Sequence, residues 1–228
     1  MSPIVVKREL SRRAEKPRVL VIGAGGLGCP IVELLARVHV CELVLADGDV
    51  VDRSNLPRQW LYGDKDVGKA KTAAAAARVR DLAPGAKVET RGVFRLPDRL
   101  DFALVIDGTD DVDFKFALND AAIAARVPLV SGGVVGLVGY ALSVRPGQSA
   151  CLRCVFEAPT DEMRKTCRDA GVLAPLPSIV GSVMAAMAAR TLAGEAPEAM
   201  WSIDLGLSQA RPSRWQRRDD CPACGRPS

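Results

Sequence analysis

Two pairs of cysteines in the chain have the spacing of metal-binding knuckles. Cys151 and Cys154 form one C-x-x-C pair, and Cys221 and Cys224 form the other. Four thiolates suit a tetrahedral zinc ion, and a site with four protein ligands leaves no position for a catalytic water. The pairs lie too far apart for a zinc finger, so they predict a structural zinc that ties the end of the chain to its core. The alternative is redox-active or unremarkable thiols.

A glycine-rich motif indicates nucleotide binding. Gly23, Gly25 and Gly28 form G-x-G-x-x-G directly after a β-branched run and before an amphipathic stretch. Glycines let the backbone turn tightly and approach phosphates, and the following helix N-terminus offers free N–H donors. Asp47 ends the next apolar run, where a carboxylate can accept hydrogen bonds from ribose hydroxyls. These residues alone do not separate a dinucleotide redox cofactor from ATP.

The elements that must position these motifs alternate between strand and helix. Strands are predicted at 18–22, 42–46, 87–90, 102–106 and 128–130. Helices are predicted at 30–38, 68–82, 117–125 and 178–192. This alternation predicts a Rossmann-like α/β fold with a doubly wound, mostly parallel sheet. Strand-like patterns at 134–144 and 199–207 predict an antiparallel C-terminal extension, and residues 151–176 are predicted to be irregular.

Length and composition predict one globular domain over residues 1–228. Residues 1–17 would form an N-terminal segment, and residues 151–228 a zinc-tied C-terminal part. Hydrophobic residues make up 48% of the chain and charged residues 25%, which excludes disorder. No apolar run is long enough for a membrane span or a secretory signal, so we expect a cytoplasmic protein without membrane contact.

Charge and aromatic content argue against nucleic acid as a partner. The net charge is only +4, and aromatic residues are 4% of the chain. Five arginines in the C-terminal stretch are interrupted by Asp219 and Asp220, which predicts a solvated surface. These arginines are Arg211, Arg214, Arg217, Arg218 and Arg226.

The single histidine and two isolated cysteines are predicted to be structural. One histidine excludes metal sites built from several histidines and most familiar hydrolase chemistry. His39 follows a helical run, which favours a position at a helix end. Cys29 and Cys41 lie beside the glycine loop and a strand, which favours small core residues.

Taken together, the motifs resemble the ThiF/MoeB/HesA family of ubiquitin-activating-enzyme-like adenylyltransferases. The resemblance covers roughly residues 18–225, and the segment 166–175 is most similar to the ThiF branch. The motifs that carry it come in one order, and the two C-x-x-C pairs follow them. They are Gly23-Ala-Gly-Gly-Leu-Gly28, Asp47-Gly-Asp49, Ser54-Asn-Leu-Pro-Arg-Gln59, Val67-Gly-Lys-Ala-Lys71 and Gly108-Thr-Asp-Asp111.

The resemblance implies adenylation that depends on ATP and magnesium. Its substrate would be the C-terminal glycine of a ubiquitin-like sulfur-carrier protein ending in Gly-Gly, with pyrophosphate as the product. The implied ATP-binding residues are Gly23, Gly25, Gly26, Gly28, Asp47, Asp49, Ser54, Asn55, Arg58, Gln59, Lys71, Asp110 and Asp111. Asp47 would bind the ribose and Asp110 magnesium. Asn55, Arg58 and Lys71 would surround the triphosphate.

Physical chemistry agrees with these roles. Attack of a carboxylate on the α-phosphate joins two anions, so the transition state needs cations and a divalent metal rather than a general base.

Cys167 is flanked by Arg164, Lys165 and Arg168, which would lower its pKa. In the ThiF branch the matching cysteine takes up the acyl group, and the alternative here is an incidental thiol.

The sequence departs from the family pattern at three places. Family members begin with an R-Y-x-R-Q segment that reaches the active site of a partner subunit in a homodimer. Arg8, Arg12 and Arg13 are the substitutes that this sequence offers. The family's T-D-N motif is Thr109-Asp-Asp111 here. We also find no sulfurtransferase domain, so we expect a separate desulfurase or sulfurtransferase as sulfur donor.

Three other functions stay open at this point. The enzyme could adenylate another carboxylate, on a small molecule, a tRNA base or a peptide. A chain without the N-terminal arginine could bind a carrier without activating it. A nicotinamide-dependent dehydrogenase would share the glycine loop, but it would not explain Lys71, Asp110 and the cysteine pairs.

Overall fold

The computed structural model describes residues 15–96, 100–161, 163–164, 171–195 and 199–225. Its strands are β1 (Arg18–Ile22), β2 (Glu42–Ala46), β3 (Val88–Arg91), β4 (Leu104–Asp107), β5 (Leu129–Val135), β6 (Val138–Val144), β7 (Ala199–Asp204) and β8 (Gln209–Arg214). They form one sheet in the order β3-β2-β1-β4-β5-β6-β7-β8. The first five strands are parallel and the last three are antiparallel additions, which confirms the predicted fold class.

In the described ranges, five α-helices and two short 3₁₀ turns connect the strands. The helices are α1 (Gly28–Val38), α2 (Lys71–Leu82), α3 (Val112–Ala125), α4 (Leu152–Phe156) and α5 (Leu176–Leu192). The 3₁₀ turns are Arg53–Arg58 and Asp64–Asp66. The predicted helix 117–125 begins earlier because the Asp111 carboxylate caps α3, accepting a 3.0 Å hydrogen bond from the Phe114 N–H. A short helix, α4, lies in the stretch predicted to be irregular.

The antiparallel extension differs in detail from the prediction. Residues 134–144 are not one strand, because Gly136, with a φ of +59°, turns the chain between β5 and β6. The predicted strand 199–207 ends at Asp204, and the chain returns as β8. Arg211 and Arg214 therefore lie in an edge strand, which their exposure and the neighbouring Pro212 concealed in the sequence.

Side chains on both faces of the sheet are buried. Val19 and Val21 of β1 pack in one core cluster with α1 and α5, while Leu20 and Ile22 pack in the other. This second cluster includes all four cysteines of the two C-x-x-C pairs. The cysteine knuckles are thus part of the core under the sheet.

The isolated histidine and cysteines have the structural positions that were predicted. His39 ends α1 with a φ of +52° and donates its backbone N–H to the Ala36 carbonyl. Cys29 and Cys41 are buried, and this burial raises the pKa of each thiol to about 12. In the described part of the chain, no helix has both the length and the apolar character to cross a bilayer.

Candidate functional site

Three loops begin side by side at the carboxyl edge of the sheet. In the register of the parallel strands, Ile22 of β1 pairs with Ala46 of β2 on one side and with Asp107 of β4 on the other. The glycine loop, the loop after Ala46 and the turn after Asp107 therefore start next to one another. The chain moves in opposite directions on the two sides of β1, and such a switch point opens a crevice for ligands.

Close backbone contacts fix the glycine loop. Gly23 has a φ of +90°, and a Cβ there would lie 2.8 Å from the carbonyl atoms of Gly108. A Cβ on Gly28 would lie 2.1 Å from the Gly23 carbonyl oxygen. No side chain caps the N-terminus of α1, so its first N–H groups suit an anion. The loop has the predicted form of a phosphate cradle.

Asp47 supports the glycine loop from the end of β2. Its Oδ2 accepts a 2.7 Å hydrogen bond from the Ala24 N–H, and its Oδ1 accepts a 2.8 Å bond from the Asp49 N–H. The carboxylate thus lies beside the loop, as predicted. Each carboxylate oxygen can accept a further bond, so the predicted contact with a ribose is compatible with these bonds.

The two predicted triphosphate-binding cations are each held by a neighbouring side chain. Lys71 begins α2, and its Nζ donates to Asp49 Oδ2 over 2.8 Å. The Arg58 guanidinium donates to Asn55 Oδ1 over 2.6 Å and to the Ser54 carbonyl over 3.3 Å. Lys71 is thus held by a carboxylate, and Arg58 is held by two uncharged oxygen atoms.

Gln59 is buried against the glycine loop. Its side-chain Nε2 lies 3.6 Å from the position of a Cβ on Gly25, and the residue is 4% exposed. Its Oε1 has no hydrogen-bond partner among the residues that the structure describes. An unsatisfied buried acceptor costs about 1–3 kcal/mol. Such an atom next to a phosphate cradle fits a site that a bound molecule completes.

The acidic turn after β4 contacts the end of β1 and the glycine loop. The Gly108 N–H donates to the Ile22 carbonyl over 2.8 Å. Asp110 is exposed and pairs with no residue in the described ranges, whereas Asp111 caps α3. Among the described residues the Asp110 carboxylate thus has no partner, whereas Asp111 makes a structural bond that the sequence did not indicate.

A buried polar network beneath this turn was missed by sequence reasoning. Lys115 Nζ donates to Asp107 Oδ2 over 3.0 Å and to the Gly132 carbonyl over 2.6 Å. The Ser131 hydroxyl donates to Asp107 Oδ2, and the Thr109 hydroxyl donates to Asp107 Oδ1. The one signal in the sequence was an aspartate at the end of a buried strand, which apolar periodicity does not explain.

The four knuckle cysteines meet in one buried cluster. Their sulfur atoms lie within 4.8 Å of one another, and three pairs are 3.9, 3.6 and 3.4 Å apart. Tetrahedral zinc with Zn–S bonds near 2.3 Å needs sulfur separations of about 3.8 Å. A disulfide needs about 2.05 Å. The cluster therefore fits a tetrahedral metal ion and not two disulfides.

Backbone donors favour the thiolate of Cys221, whereas burial raises the pKa of the Cys151 thiol to about 11 and also raises the pKa of Cys224. Burial raises the pKa of Cys221, but N–H donation from Cys224 and Ala223 and thiol contacts with Cys151 and Cys154 outweigh it and lower the pKa to about 7. The Arg218 N–H donates to Cys154 Sγ over 3.5 Å. Such N–H···S bonds stabilise the charge that a metal ligand carries.

Several predicted residues lie outside the described ranges. These are Cys167, its neighbours Lys165 and Arg168, and the candidate N-terminal arginines Arg8, Arg12 and Arg13. Arg164 is described, and its guanidinium pairs with Asp113 and Asp161.

Known proteins are similar to this chain over most of its length. The ThiF family profile matches residues 3–223. The SAMP-activating enzyme E1 of Haloferax volcanii is 38% identical over 222 residues, which cover 91% of this chain and 80% of that protein. The molybdopterin-synthase adenylyltransferase of Escherichia coli is 36% identical over 220 residues, covering 91% and 87%. The chain spans about half the length of the vertebrate MOCS3 proteins that it also matches.

A solved structure with lower sequence identity shares the fold. Escherichia coli MccB, crystallised with MccA-N7isoASN, has a TM-score of 0.83 at 19% identity, covering 98% of this chain and 70% of that chain. At this identity the likeness shows the fold alone. The family profile and the two relatives above 30% identity go further, and they establish that this chain belongs to the ThiF family.

Proposed function

We propose that this protein is an adenylyltransferase that uses ATP and magnesium to activate the C-terminal glycine of a ubiquitin-like sulfur carrier. The observation that carries the proposal is that a glycine loop, two cations held by hydrogen bonds and an acid without a partner in the described ranges lie around one crevice. The cations are Arg58 and Lys71, and the acid is Asp110.

The reaction needs little more than positioning and charge. A carboxylate oxygen of the carrier's terminal glycine attacks the α-phosphorus of ATP, and the bond from that phosphorus to the oxygen bridging the β-phosphate breaks. Acyl-adenylate and pyrophosphate are the products, and no proton is transferred. The shortage of histidine in this chain is therefore no obstacle.

The side chains of the crevice have complementary tasks. The free N–H groups of α1 would hold phosphate oxygens. Arg58 presents a planar fork and Lys71 a point charge, and both would offset the negative charge that the approach of two anions concentrates. Magnesium, held by Asp110, would supply further charge neutralisation on the phosphates. Gln59 Oε1 would accept a hydrogen bond from the bound molecule.

The choice of a carrier protein as substrate rests on the relatives. Two relatives that match most of their own length are named a SAMP-activating enzyme E1 and a molybdopterin-synthase adenylyltransferase. Their similarity supports a ubiquitin-like carrier ending in Gly-Gly over a small carboxylate. By the same resemblance we propose a homodimer and a separate sulfur donor.

The cysteines complete the proposal. Zinc in the four-thiolate cluster would be structural, since no ligand position is left for water. The Cys167 thiolate would attack the carbonyl carbon of the acyl-adenylate, which forms a thioester and releases AMP. A Cys167→Ser variant would then keep adenylation and lose sulfur transfer, and full sulfur transfer by this variant would remove Cys167 from the mechanism.

The test is ATP–pyrophosphate exchange with a panel of Gly-Gly-ended carriers. Lys71→Ala is expected to lower the exchange rate by about 100-fold or more, because it removes a cation that acts in the transition state. Lys69→Ala is the matched control, since Lys69 lies two residues away, is exposed and pairs with Asp66. A carrier that lacks its last glycine should give no exchange. Equal rates for the two lysine variants would contradict the assignment of Lys71.

A further inference from the structure

We infer that Asp107 and Lys115 are positioning residues that hold the acidic turn, residues 108–111, against the glycine loop. The inference deepens the proposed function and rests on it only for its kinetic consequence. Neither residue belongs to the motifs that the sequence singled out. Both side chains are buried and Asp107 bonds to Thr109, so the two residues act through Thr109 and Asp110.

The network is buried and has a partner for each charge. Asp107 is 0% exposed and Lys115 is 5% exposed. The Asp107 carboxylate accepts four hydrogen bonds, one from Lys115 and the others from the Ser131 hydroxyl, the Thr109 hydroxyl and the Thr109 N–H. Lys115 also donates to the Gly132 carbonyl. The two side chains thereby link β4, α3, β5 and the acidic turn.

Both of these hydrogen bonds to Asp107 Oδ1 come from Thr109 in the acidic turn. The Thr109 hydroxyl donates over 2.7 Å and the Thr109 N–H over 3.1 Å. On the other side of the turn, the Gly108 N–H donates to the Ile22 carbonyl. Gly23 packs so closely against Gly108 that a side chain on Gly23 would not fit. The turn is thus fixed on both sides, and the exposed Asp110 is the next residue after these contacts.

Stability alone does not explain a charged pair at this place. Replacing a buried ion pair by well-packed apolar side chains is often neutral or stabilising. A carboxylate acceptor, however, can fix a turn through two bonds at once, and it needs a buried cation to stay ionised. The geometry points to this use, because Oδ2 receives Lys115 and Ser131 while Oδ1 is left to Thr109.

The experiment compares variants at both ends of the network in the full-length chain. Lys115→Met removes the cation, and Lys115→Arg keeps it. Thr109→Val removes the hydroxyl at nearly constant volume, and Thr109→Ser keeps it. Lys87→Met is the control for the loss of a lysine, since Lys87 pairs with Glu42 on the surface at the other edge of the sheet. Amide hydrogen exchange at Gly108 and Thr109 is measured by NMR, alongside ATP–pyrophosphate exchange.

The expected result separates positioning from simple stability. Lys115→Met and Thr109→Val should each raise the Thr109 amide exchange rate by about 10-fold. They should lower kcat by about 100-fold, with a smaller change in the KM for ATP, and raise the magnesium concentration needed for half-maximal rate. Lys115→Arg and Thr109→Ser should restore most of the slow amide exchange and most of kcat. Lys87→Met should match the wild type in both measurements.

Two results would overturn the inference. One is wild-type amide exchange at Thr109 in both Lys115→Met and Thr109→Val. The other is an equal decrease of kcat in Thr109→Val and Thr109→Ser, which would mean that the hydroxyl bond to Asp107 does not position the turn. If the wild type itself shows no ATP–pyrophosphate exchange with any carrier, the proposed function fails. The amide hydrogen exchange rates still decide whether the network holds the turn. Should Lys115→Met not fold, the Thr109 pair gives the decision.

Discussion

Lys71 Nζ lies 2.8 Å from Asp49 Oδ2, and the two side chains differ widely in exposure, at 7% and 73%. The lysine is buried at the start of α2, while its acidic partner faces solvent beside the glycine loop. The Lys71 N–H also donates to the Asp49 carbonyl over 3.0 Å. Asp49 therefore fixes both the backbone and the charged end of the lysine that is proposed to meet the triphosphate.

Replacing Asp49 should weaken nucleotide binding. Asp49→Ala leaves the Lys71 ammonium without its partner, so the KM for ATP is expected to rise by about 5- to 10-fold, which corresponds to roughly 1 kcal/mol. Asp64→Ala is the control, because Asp64 pairs with Arg53 on the surface. The measurement is steady-state exchange at varied ATP, and an unchanged KM in Asp49→Ala would show that the pair does not position Lys71.

Gln59→Met should stabilise the fold and weaken the site at the same time. The substitution removes a buried acceptor that has no partner in the described structure, so the free energy of unfolding is expected to rise by about 1 kcal/mol. ATP affinity should fall by about 10-fold, since the bound molecule loses a hydrogen bond. Urea denaturation and calorimetric ATP titration measure the two effects.

The exposed Gln148 provides the control for this change. Gln148→Met should alter neither stability nor ATP affinity beyond about 0.5 kcal/mol. If Gln59→Met destabilises the protein and binds ATP normally, Gln59 serves the fold rather than the ligand.

Metal removal should unfold the C-terminal part. The purified protein is expected to contain one zinc ion per chain, because the four sulfur atoms match a single tetrahedral site. Cys221→Ser should lose the metal and lower the free energy of unfolding by several kcal/mol, since the cysteines belong to the core cluster. Elemental analysis and thermal denaturation test this, with Cys41→Ser as a cysteine outside the cluster. A metal-free chain of full stability would contradict the structural role.

Alkaline pH should destabilise the protein through its buried thiols. Burial raises the pKa of Cys41 to about 12 from 9.0. Above pH 9 the unfolded chain binds fewer protons at this thiol than the folded chain, so the stability that the thiol contributes below pH 9 is lost as the pH rises toward 12. The loss is about 1.4 kcal/mol per pH unit for one thiol. Cys41→Ala should make the fall shallower by that amount in urea titrations between pH 9 and 10.5, and an unchanged slope would contradict it.

The central strands of the parallel sheet could be predicted because they are mostly apolar runs, unlike the exposed strand β3. β1 and β2 have the predicted bounds, since strands buried on both faces contain almost no polar residue and end sharply at glycine or aspartate. β8 was missed because it is an exposed edge strand whose register comes from pairing with β7. Its side chains carry no apolar alternation that would indicate a strand.

The site was predicted in its motifs but not in its supporting bonds. The glycine loop and Asp47 follow local rules of strand, turn and helix, so their placement could be inferred. The Lys115–Asp107 pair depends on how α3 lies over β4 and β5, which no local pattern specifies. The Asp49 partner of Lys71 and the burial of Gln59 likewise depend on how the loop after β2 folds back over the glycine loop.

The most direct measurement is ATP–pyrophosphate exchange with the zinc-loaded protein, magnesium and a panel of small Gly-Gly-ended carriers. The proposed function predicts exchange that depends on one carrier, requires its terminal glycine and is lost in Lys71→Ala but not in Lys69→Ala. Absence of exchange with every carrier, from protein that binds ATP, would contradict it.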